Sequence, residues 1–172
     1  MPHRLVEKQV IFDGKKVRLE VHHFEDDQGK RFRREVCVHN GAVVILAFVK
    51  PDTILLIRQK REAVGQILLE LPAGTLEKGE VPMNCAGREL QEETGYLAAR
   101  MKVIGSFYSS PGILTEKMHA FAAFDLTKTH QALDEGEELE VHEVKLDDAV
   151  AMIKTGEIQD AKTIATLLMY RM

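Results

Sequence analysis

Two uninterrupted apolar segments constrain the fold more than any other feature of this sequence. "GAVVILAFVK" and "TILLIRQ" are separated only by a turn at Pro51 and Asp52. A strand that is apolar on both faces must be covered on both faces, because either face would otherwise meet water. The two segments are therefore predicted to pair as buried strands of the core.

The remaining pattern predicts further strands and three helices. Residues 16–24 alternate apolar and polar, and a turn and a second polar strand at 31–39 follow, which predicts an antiparallel hairpin or meander. "KVIGSFY", "HAFAAFDL" and "VHEVKL" indicate more strands. Helices are predicted between Pro82 and Gly95 with an apolar stripe of Met83, Ala86 and Leu90, from a cap at Asp147 and Asp148 to Gly156, and from about Asp160. Strands interspersed with helices predict an α/β or α+β domain, with a mixed sheet sandwiched by helices.

Composition narrows the class of protein. The 172 residues suit one domain, and a formal charge of −4 without a basic block argues against a nucleic-acid partner. The N-terminus has no apolar core of signal-peptide length, and "AVVILAFV" is too short to span a bilayer, so no membrane partner is expected. Cys37 and Cys85 form no C-x-x-C pair, which suits a reducing compartment. We expect a cytoplasmic protein.

Three carboxylates crowd the first predicted helix, in "GRELQEETG". Glu89, Glu92 and Glu93 are expected on the side opposite the apolar stripe, where two charges about 6 Å apart repel by roughly 3 kcal/mol at an effective dielectric of about 20. Arg88 can neutralise Glu92, whereas Glu89 and Glu93 suit a hard divalent cation such as Mg²⁺, with Glu80 adding another oxygen. The alternative is a solvated charged face.

The sequence "GTLEKGEVPMNCAGRELQEETGY", residues 74–96, resembles the Nudix box, G-x5-E-x7-R-E-U-x-E-E-x-G-U, in which U is a bulky aliphatic residue. The matching positions are Gly74, Glu80, Arg88, Glu89, Leu90, Glu92, Glu93 and Gly95. Tyr96 departs from the pattern, since it is aromatic where the family usually has an aliphatic residue. The resemblance implies a Nudix fold, an α/β/α sandwich, preceded here by the N-terminal hairpin or meander.

Other segments resemble the ADP-ribose pyrophosphatase branch of that family. They are "RREVCVHNGAVVIL", "IRQKRE", "SSPGILTE" and the acidic "DEGEELEVHEV". The resemblance implies substrate contacts at Arg34, Glu35, Arg61, Pro111 and Glu116, and metal ligation by the carbonyl oxygen of Ala73 and by Glu89, Glu93 and Glu137. It places Glu135, Glu137, Glu92 and Arg88 in the catalytic set.

The implied activity is Mg²⁺-dependent hydrolysis of a nucleoside diphosphate sugar, with Mn²⁺ able to substitute. For ADP-ribose the products are AMP and ribose 5-phosphate. The resemblance also implies one Nudix domain over 1–172, with an arm at 1–39 that dimerises and a core at 40–172. The alternatives are a pyrophosphatase for another sugar nucleotide, such as GDP-mannose, and a non-catalytic module that senses a nucleotide.

Several residues also allow simpler interpretations. The acidic segment suits an ordinary surface loop, and Pro111 a rigid turn. Arg34 and Arg61 could pair with Glu35 and Glu62 on strand surfaces. A zinc site from histidines and Cys37 is disfavoured, because neighbouring side chains on a strand, such as "HH" at residues 22–23, point to opposite faces.

Overall fold

The computed structural model describes residues 3–14, 17–133, 136 and 138–172 of the chain. The chain divides into two compact units. The first unit comprises Met1–Gly41 and Tyr108–Lys117, and the second comprises Ala42–Phe107 and Met118–Met172. The single domain expected over 1–172 stays a prediction.

The first unit contains a three-stranded antiparallel sheet. Its strands are β1 (Arg4–Asp13), β2 (Arg18–Glu25) and β3 (Arg31–Val38), paired in that order. The turn between β2 and β3 is closed by Asp26, whose Oδ1 accepts hydrogen bonds at 2.9 Å from the N–H groups of Gln28 and Lys30. The predicted N-terminal meander is confirmed.

The second unit is built on a mixed sheet. Its strands are β4 (Ala42–Lys50), β5 (Thr53–Arg61), β6 (Gln66–Glu70), β7 (Ala73–Thr75), β8 (Tyr96–Tyr108), β9 (Lys117–Lys128) and β10 (Leu139–Lys145). The main order is β10-β5-β4-β9-β8, with β6 paired to β5 and β7 paired to β4. β4 runs parallel to β9 and antiparallel to β5 and β7. The two apolar segments are therefore neighbouring central strands, as predicted.

Helices cover both faces of this sheet. They are α1 (Pro82–Thr94), α2 (Leu146–Thr155) and α3 (Ala161–Arg171). Val43 and Ile45 of β4 pack in a buried cluster with the α1 residue Leu90, whereas Val44 and Leu46 pack with residues of α2 and α3. Burying each such side chain stabilises the fold by roughly 1.5–3 kcal/mol, which is why β4 is apolar on both faces. The predicted three-layer α+β architecture is confirmed.

The helix ends match the sequence signals with one exception. Pro82 occupies the first turn of α1, and Gly95 ends the helix in the left-handed conformation, at φ 72°. Asp160 caps α3 by accepting the N–H of Thr163 at 2.9 Å. The expected cap of α2 at residues 147–148 is wrong, because Lys145 holds that position and the two aspartates lie in the first turn. Carboxylates there favour the helix through its dipole.

Every helix in the described part of the chain is too short or too polar to cross a membrane.

Candidate active site

Glu93 points into the protein rather than away from it. Glu93 is only 4% exposed, and its Oε2 accepts a hydrogen bond from the N–H of Ala73 at 2.9 Å. The expectation that Glu93 lies opposite the apolar stripe is wrong, because it follows Leu90 by three positions and Ala86 by seven and so shares their face. Met83, by contrast, is 36% exposed. Helix α1 therefore carries one acidic side chain inward to strand β7.

Glu89 reaches the same strand one residue further on. A Cβ added to Gly74 would lie 1.8 Å from the Glu89 Cδ, so the carboxylate occupies the space that any larger residue would need. The side chain of Glu89 is only 13% exposed. The glycine that opens the motif is thus required because a carboxylate packs directly on its Cα. Glu89 and Glu93 meet at the two adjacent residues Ala73 and Gly74.

Arg88 lies among the other carboxylates of the helix. Its guanidinium contacts Glu80 at 3.1 Å, Glu89 at 2.8 Å and Glu92 at 2.8 Å, so the predicted Arg88–Glu92 contact is present along with two others. The hydrogen bond to Glu80, followed by Glu89 and Glu92, raises the pKa of Arg88 above its ordinary value. One permanent cation therefore offsets the repulsion that the sequence implied.

Glu80 is held in place rather than presented to a ligand. Besides Arg88, its Oε2 accepts the backbone N–H of Glu77 at 2.9 Å. The hydrogen bond from Arg88 holds the pKa of Glu80 below its usual value. In this arrangement Glu80 orients Arg88, which in turn contacts Glu89.

Cys85 lies beneath this cluster. Its Sγ is 3.4 Å from Nη2 of Arg88, and the residue is buried. Burial first, then the neighbouring charges of Glu80 and Glu89, raise the pKa of the thiol to about 12. The thiol is therefore neutral and has the environment of a structural cysteine, not a reactive one.

Arg61 belongs to an ion cluster around a buried glutamate, which the sequence did not reveal. It donates hydrogen bonds of 2.8 and 2.7 Å to Glu70, which is 1% exposed and also contacts Lys162. The suggested partner Glu62 pairs instead with Lys60 at 2.7 Å. Arg61 lies on β5 and Glu70 on β6. The sequence signal for this contact was the turn at "EAVGQ" between two apolar strands, which indicates that β5 and β6 form a hairpin.

These contacts decide the charge states in the cluster. Burial by itself would raise the pKa of Glu70, but hydrogen bonds from Arg61 and Lys162 outweigh it and hold that pKa below the usual value. The same contact with Glu70 raises the pKa of Arg61, and the nearby charge of Glu93 adds to that rise. Arg61 is therefore close enough to Glu93 for their opposite charges to attract.

The end of α1 is tied to the chain that precedes the acidic segment. The N–H of Ala132 donates to the carbonyl oxygen of Glu92 at 3.0 Å, and Nε2 of Gln131 donates to that of Glu93 at 2.7 Å. The predicted catalytic residues Glu135 and Glu137 lie outside the described residues.

The remaining predicted site residues belong to the first unit. The Cζ of Arg34 lies 4.9 Å from the ring centre of Phe32, and Glu35 lies 3.8 Å from Arg33, so the suggested Arg34–Glu35 pair is not observed. His39 contacts Glu116 at 3.5 Å. Pro111 occupies a turn in which the N–H groups of residues 113 and 114 donate to the carbonyl oxygen of residue 110. Their predicted roles stay predictions.

The donor set fits a hard divalent cation. Glu89 and Glu93 provide carboxylate oxygens at adjacent backbone positions, and such oxygens are the ligands that Mg²⁺ prefers. Within residues 3–14, 17–133, 136 and 138–172, no three His, Cys, Asp or Glu side chains converge on one metal position. Because Mg²⁺ is commonly held by one or two carboxylates together with water and substrate phosphates, this arrangement is compatible with it.

Comparisons with a family model, with related sequences and with a solved structure agree on one family. A family model described as the NUDIX domain matches residues 38–167. The ADP-ribose pyrophosphatase of Bacillus subtilis (strain 168) is 42% identical over 93% of this chain and 88% of that protein. The "methanol dehydrogenase activator" of Bacillus methanolicus is 39% identical over 94% and 88%.

A GDP-mannose pyrophosphatase of Citrobacter koseri is 40% identical over 80% of this chain and 76% of that protein. A crystal structure of an ADP compounds hydrolase superposes with a TM-score of 0.88 at 23% identity, over 99% of this chain and 93% of that one, which shows the shared fold. With the family model, the motif at 74–96 and the paired glutamates in agreement, the chain belongs to the Nudix hydrolase family.

Proposed function

We propose that the protein hydrolyses the diphosphate bond of nucleoside diphosphate sugars in a Mg²⁺-dependent reaction, with ADP-ribose as the preferred substrate. The observation that carries the proposal is the meeting of Glu89 and Glu93 at Ala73 and Gly74. The likeness to an ADP-ribose pyrophosphatase at 42% identity supports the choice of substrate. The products are AMP and ribose 5-phosphate.

The buried carboxylates have a clear use in such a reaction. Glu89, Glu93, Glu137 and the carbonyl oxygen of Ala73 would hold the cation. A bound Mg²⁺ supplies charge neutralisation at the diphosphate and lowers the pKa of a coordinated water molecule. Arg88 holds Glu89 at 2.8 Å and so orients it, and Glu92 shares that guanidinium.

The chemical step is an attack of water on phosphorus. A new P–O bond forms, the bond to the bridging oxygen breaks, and the departing group leaves as a phosphate monoester. In our proposal Glu135 accepts the proton of the attacking water. Arg34, Glu35, Arg61, Pro111 and Glu116 are assigned to substrate binding. The Arg34 guanidinium matches phosphate oxygens in pairs, whereas Arg61, whose Nε and Nη2 donate to Glu70, would offer its Nη1 and its positive charge.

A second candidate is hydrolysis of another sugar nucleotide, such as GDP-mannose. The likeness to a GDP-mannose pyrophosphatase at 40% identity favours it. The ADP-ribose pyrophosphatase and the GDP-mannose pyrophosphatase are about equally similar to this chain, at 42% and 40% identity. The preferred base and sugar therefore have to be measured. A non-catalytic, nucleotide-sensing role is disfavoured, because such a module has no need of the inward carboxylates Glu89 and Glu93, which this chain retains.

A substrate panel tests the proposal. ADP-ribose, GDP-mannose, UDP-glucose, NADH and a nucleoside triphosphate are each incubated with the protein, with Mg²⁺, with Mn²⁺ and with a chelator, and the products are identified. We expect the highest kcat/KM for ADP-ribose, release of AMP and ribose 5-phosphate, and no turnover with chelator. Faster turnover of GDP-mannose would select the second candidate, and turnover of none of the five would contradict both.

We further propose that the protein is a cytoplasmic homodimer that associates through its N-terminal strands. Strand β1 supports this, because its apolar side chains Leu5, Val6, Val10, Ile11 and Phe12 are between 42% and 60% exposed. Large exposed apolar patches are uncommon on monomeric soluble proteins and often mark an interface.

A further inference from the structure

Residues 70–74, which run from the end of β6 into β7, contact both inward carboxylates. Ala73 donates its N–H to Glu93 at 2.9 Å, and the Cα of Gly74 supports the carboxylate of Glu89. Both contacts are made by the backbone. A shift of this segment would therefore move the partners of Glu89 and Glu93 even if helix α1 stayed in place.

The other end of the same segment is held by the first turn of α3, which we call the α3 latch (Asp160, Lys162 and Thr163). Asp160 accepts hydrogen bonds from the N–H and the Oγ1 of Thr163 at 2.9 and 2.6 Å. Thr163, fully buried, accepts the N–H of Leu71 on its Oγ1 at 2.8 Å. Lys162 lies 3.0 Å from Asp160 and also contacts Glu70. The latch thus holds two successive residues of the segment.

The contact between Lys162 and Glu70 joins α3 to the end of β6 through a buried carboxylate. A carboxylate that is 1% exposed needs its counter-charges close by, and Arg61 and Lys162 provide them from β5 and α3. Removal of Lys162 would leave the buried charge to Arg61 alone. That change would remove the ion pair through which α3 contacts Glu70.

We propose that Thr163 and Lys162 are positioning residues for the active site, which act on Glu93 through Leu71 and Ala73. Leu71 and Ala73 are two positions apart in an extended segment, roughly 7 Å along the chain. A hydrogen bond made by the N–H of Leu71 therefore restrains the position of the Ala73 N–H. Because misplacement of a reacting group by about 1 Å can cost on the order of a hundredfold in rate, restraint at that distance matters for catalysis.

Thr163→Val tests the proposal, with Thr166→Val as its matched control. Both threonines are fully buried in α3, but the Oγ1 of Thr166 has no hydrogen-bond partner in the described part of the chain. Amide hydrogen exchange of the metal-free protein is the first measurement. We expect exchange at both Leu71 and Ala73 to quicken about tenfold relative to buried β4 amides in Thr163→Val, and to stay unchanged in Thr166→Val.

Mn²⁺ binding, followed by electron paramagnetic resonance, is the second measurement. We expect the dissociation constant to rise about tenfold in Thr163→Val and in Lys162→Met, and to match the wild type in Thr166→Val and in Thr163→Ser, which keeps the hydroxyl. As the role in turnover rests on the proposed function, kinetics with ADP-ribose come third. A lower kcat with KM changed by less than about twofold is expected, since only the positioning of the chemical step is altered.

The outcomes separate the two proposals. Faster exchange at Leu71 alone, with wild-type exchange at Ala73 and wild-type Mn²⁺ affinity, would mean that the latch only anchors α3, and would overturn the inference. Should Thr163→Val fail to fold, Lys162→Met decides by the same two measurements. Absence of hydrolysis by the wild type, together with the expected shifts in exchange and Mn²⁺ affinity, would refute the proposed function and leave the positioning role standing.

Discussion

Gly74 is the residue at which a single added carbon atom would test the site most directly. In Gly74→Ala the new Cβ would lie 1.8 Å from the Glu89 Cδ, so the carboxylate must move. The moving atoms are the free end of a flexible side chain, so we expect a stability loss of less than about 1 kcal/mol but a fall in kcat/KM of about a hundredfold or more. Urea unfolding and steady-state kinetics measure the two effects.

Gly87 provides the matched control for this substitution. A Cβ added there meets nothing within 4 Å, and the residue lies inside helix α1. Gly87→Ala is expected to raise the free energy of unfolding by about 0.5–1 kcal/mol, because alanine restricts the unfolded chain, with kcat/KM unchanged. Equal kinetics in Gly74→Ala and Gly87→Ala would refute the role of Glu89.

Glu93 allows the charge of the site to be separated from its structure. In Glu93→Gln the side-chain carbonyl oxygen can still accept the Ala73 N–H at the 2.9 Å position, whereas the negative charge is lost. We expect near-native stability and a fall in kcat of about 10³-fold or more, with weaker binding of Mn²⁺. Normal turnover in this variant would contradict the assignment of Glu93 as a metal ligand.

At the scale of elements, the hairpin β5–β6 and helix α3 meet through Glu70, and this contact should make stability depend on pH. The pKa of the Glu70 carboxyl is below the usual 4.5 in the folded protein. The contribution of Glu70 to stability is therefore complete above pH 4.5 and is lost as pH falls through the lower, folded-state pKa. Glu70→Gln should lose about 2 kcal/mol near pH 7, because Arg61 and Lys162 lose their shared partner.

Urea unfolding at about pH 7 and about pH 4 measures both effects. The stability of the wild type should decrease between the two conditions more than that of Glu70→Gln. Glu62→Gln is the control, since Glu62 is 78% exposed in its pair with Lys60 and its removal should change stability by less than about 0.5 kcal/mol. A wild-type pH dependence in Glu70→Gln would show that other carboxylates account for the acid sensitivity.

At the scale of the whole molecule, the exposed apolar strand β1 bears on the oligomeric state. We expect the wild type to sediment as a dimer and Val10→Asp to sediment as a monomer, because a charge at a buried interface position costs several kcal/mol. Val103→Asp is the matched control, as Val103 is 67% exposed on β8 and Val10 is 44% exposed. Sedimentation velocity distinguishes the two species, and a monomeric wild type would contradict the prediction.

The sequence-based predictions were most accurate where the interaction concerned joins residues that are close together in the sequence. The ends of α1 and the start of α3 were correct, because Pro82, Gly95 and Asp160 act on backbone groups within a few positions. The orientation of Glu93 was wrong. Its charge suggested exposure, whereas its spacing from Leu90 placed it on the buried face.

The sequence alone determined the buried strands, the helix that carries the motif and the family, since periodicity and motif spacing are properties of neighbouring residues. Only the tertiary structure decided which groups those residues meet. The bond from Leu71 to Thr163 spans 92 positions, and Glu70 finds Arg61 and Lys162 only after β6 and α3 have packed. Such partners depend on the path of the whole chain, because a charged side chain can pair with any opposite charge that the fold brings within reach.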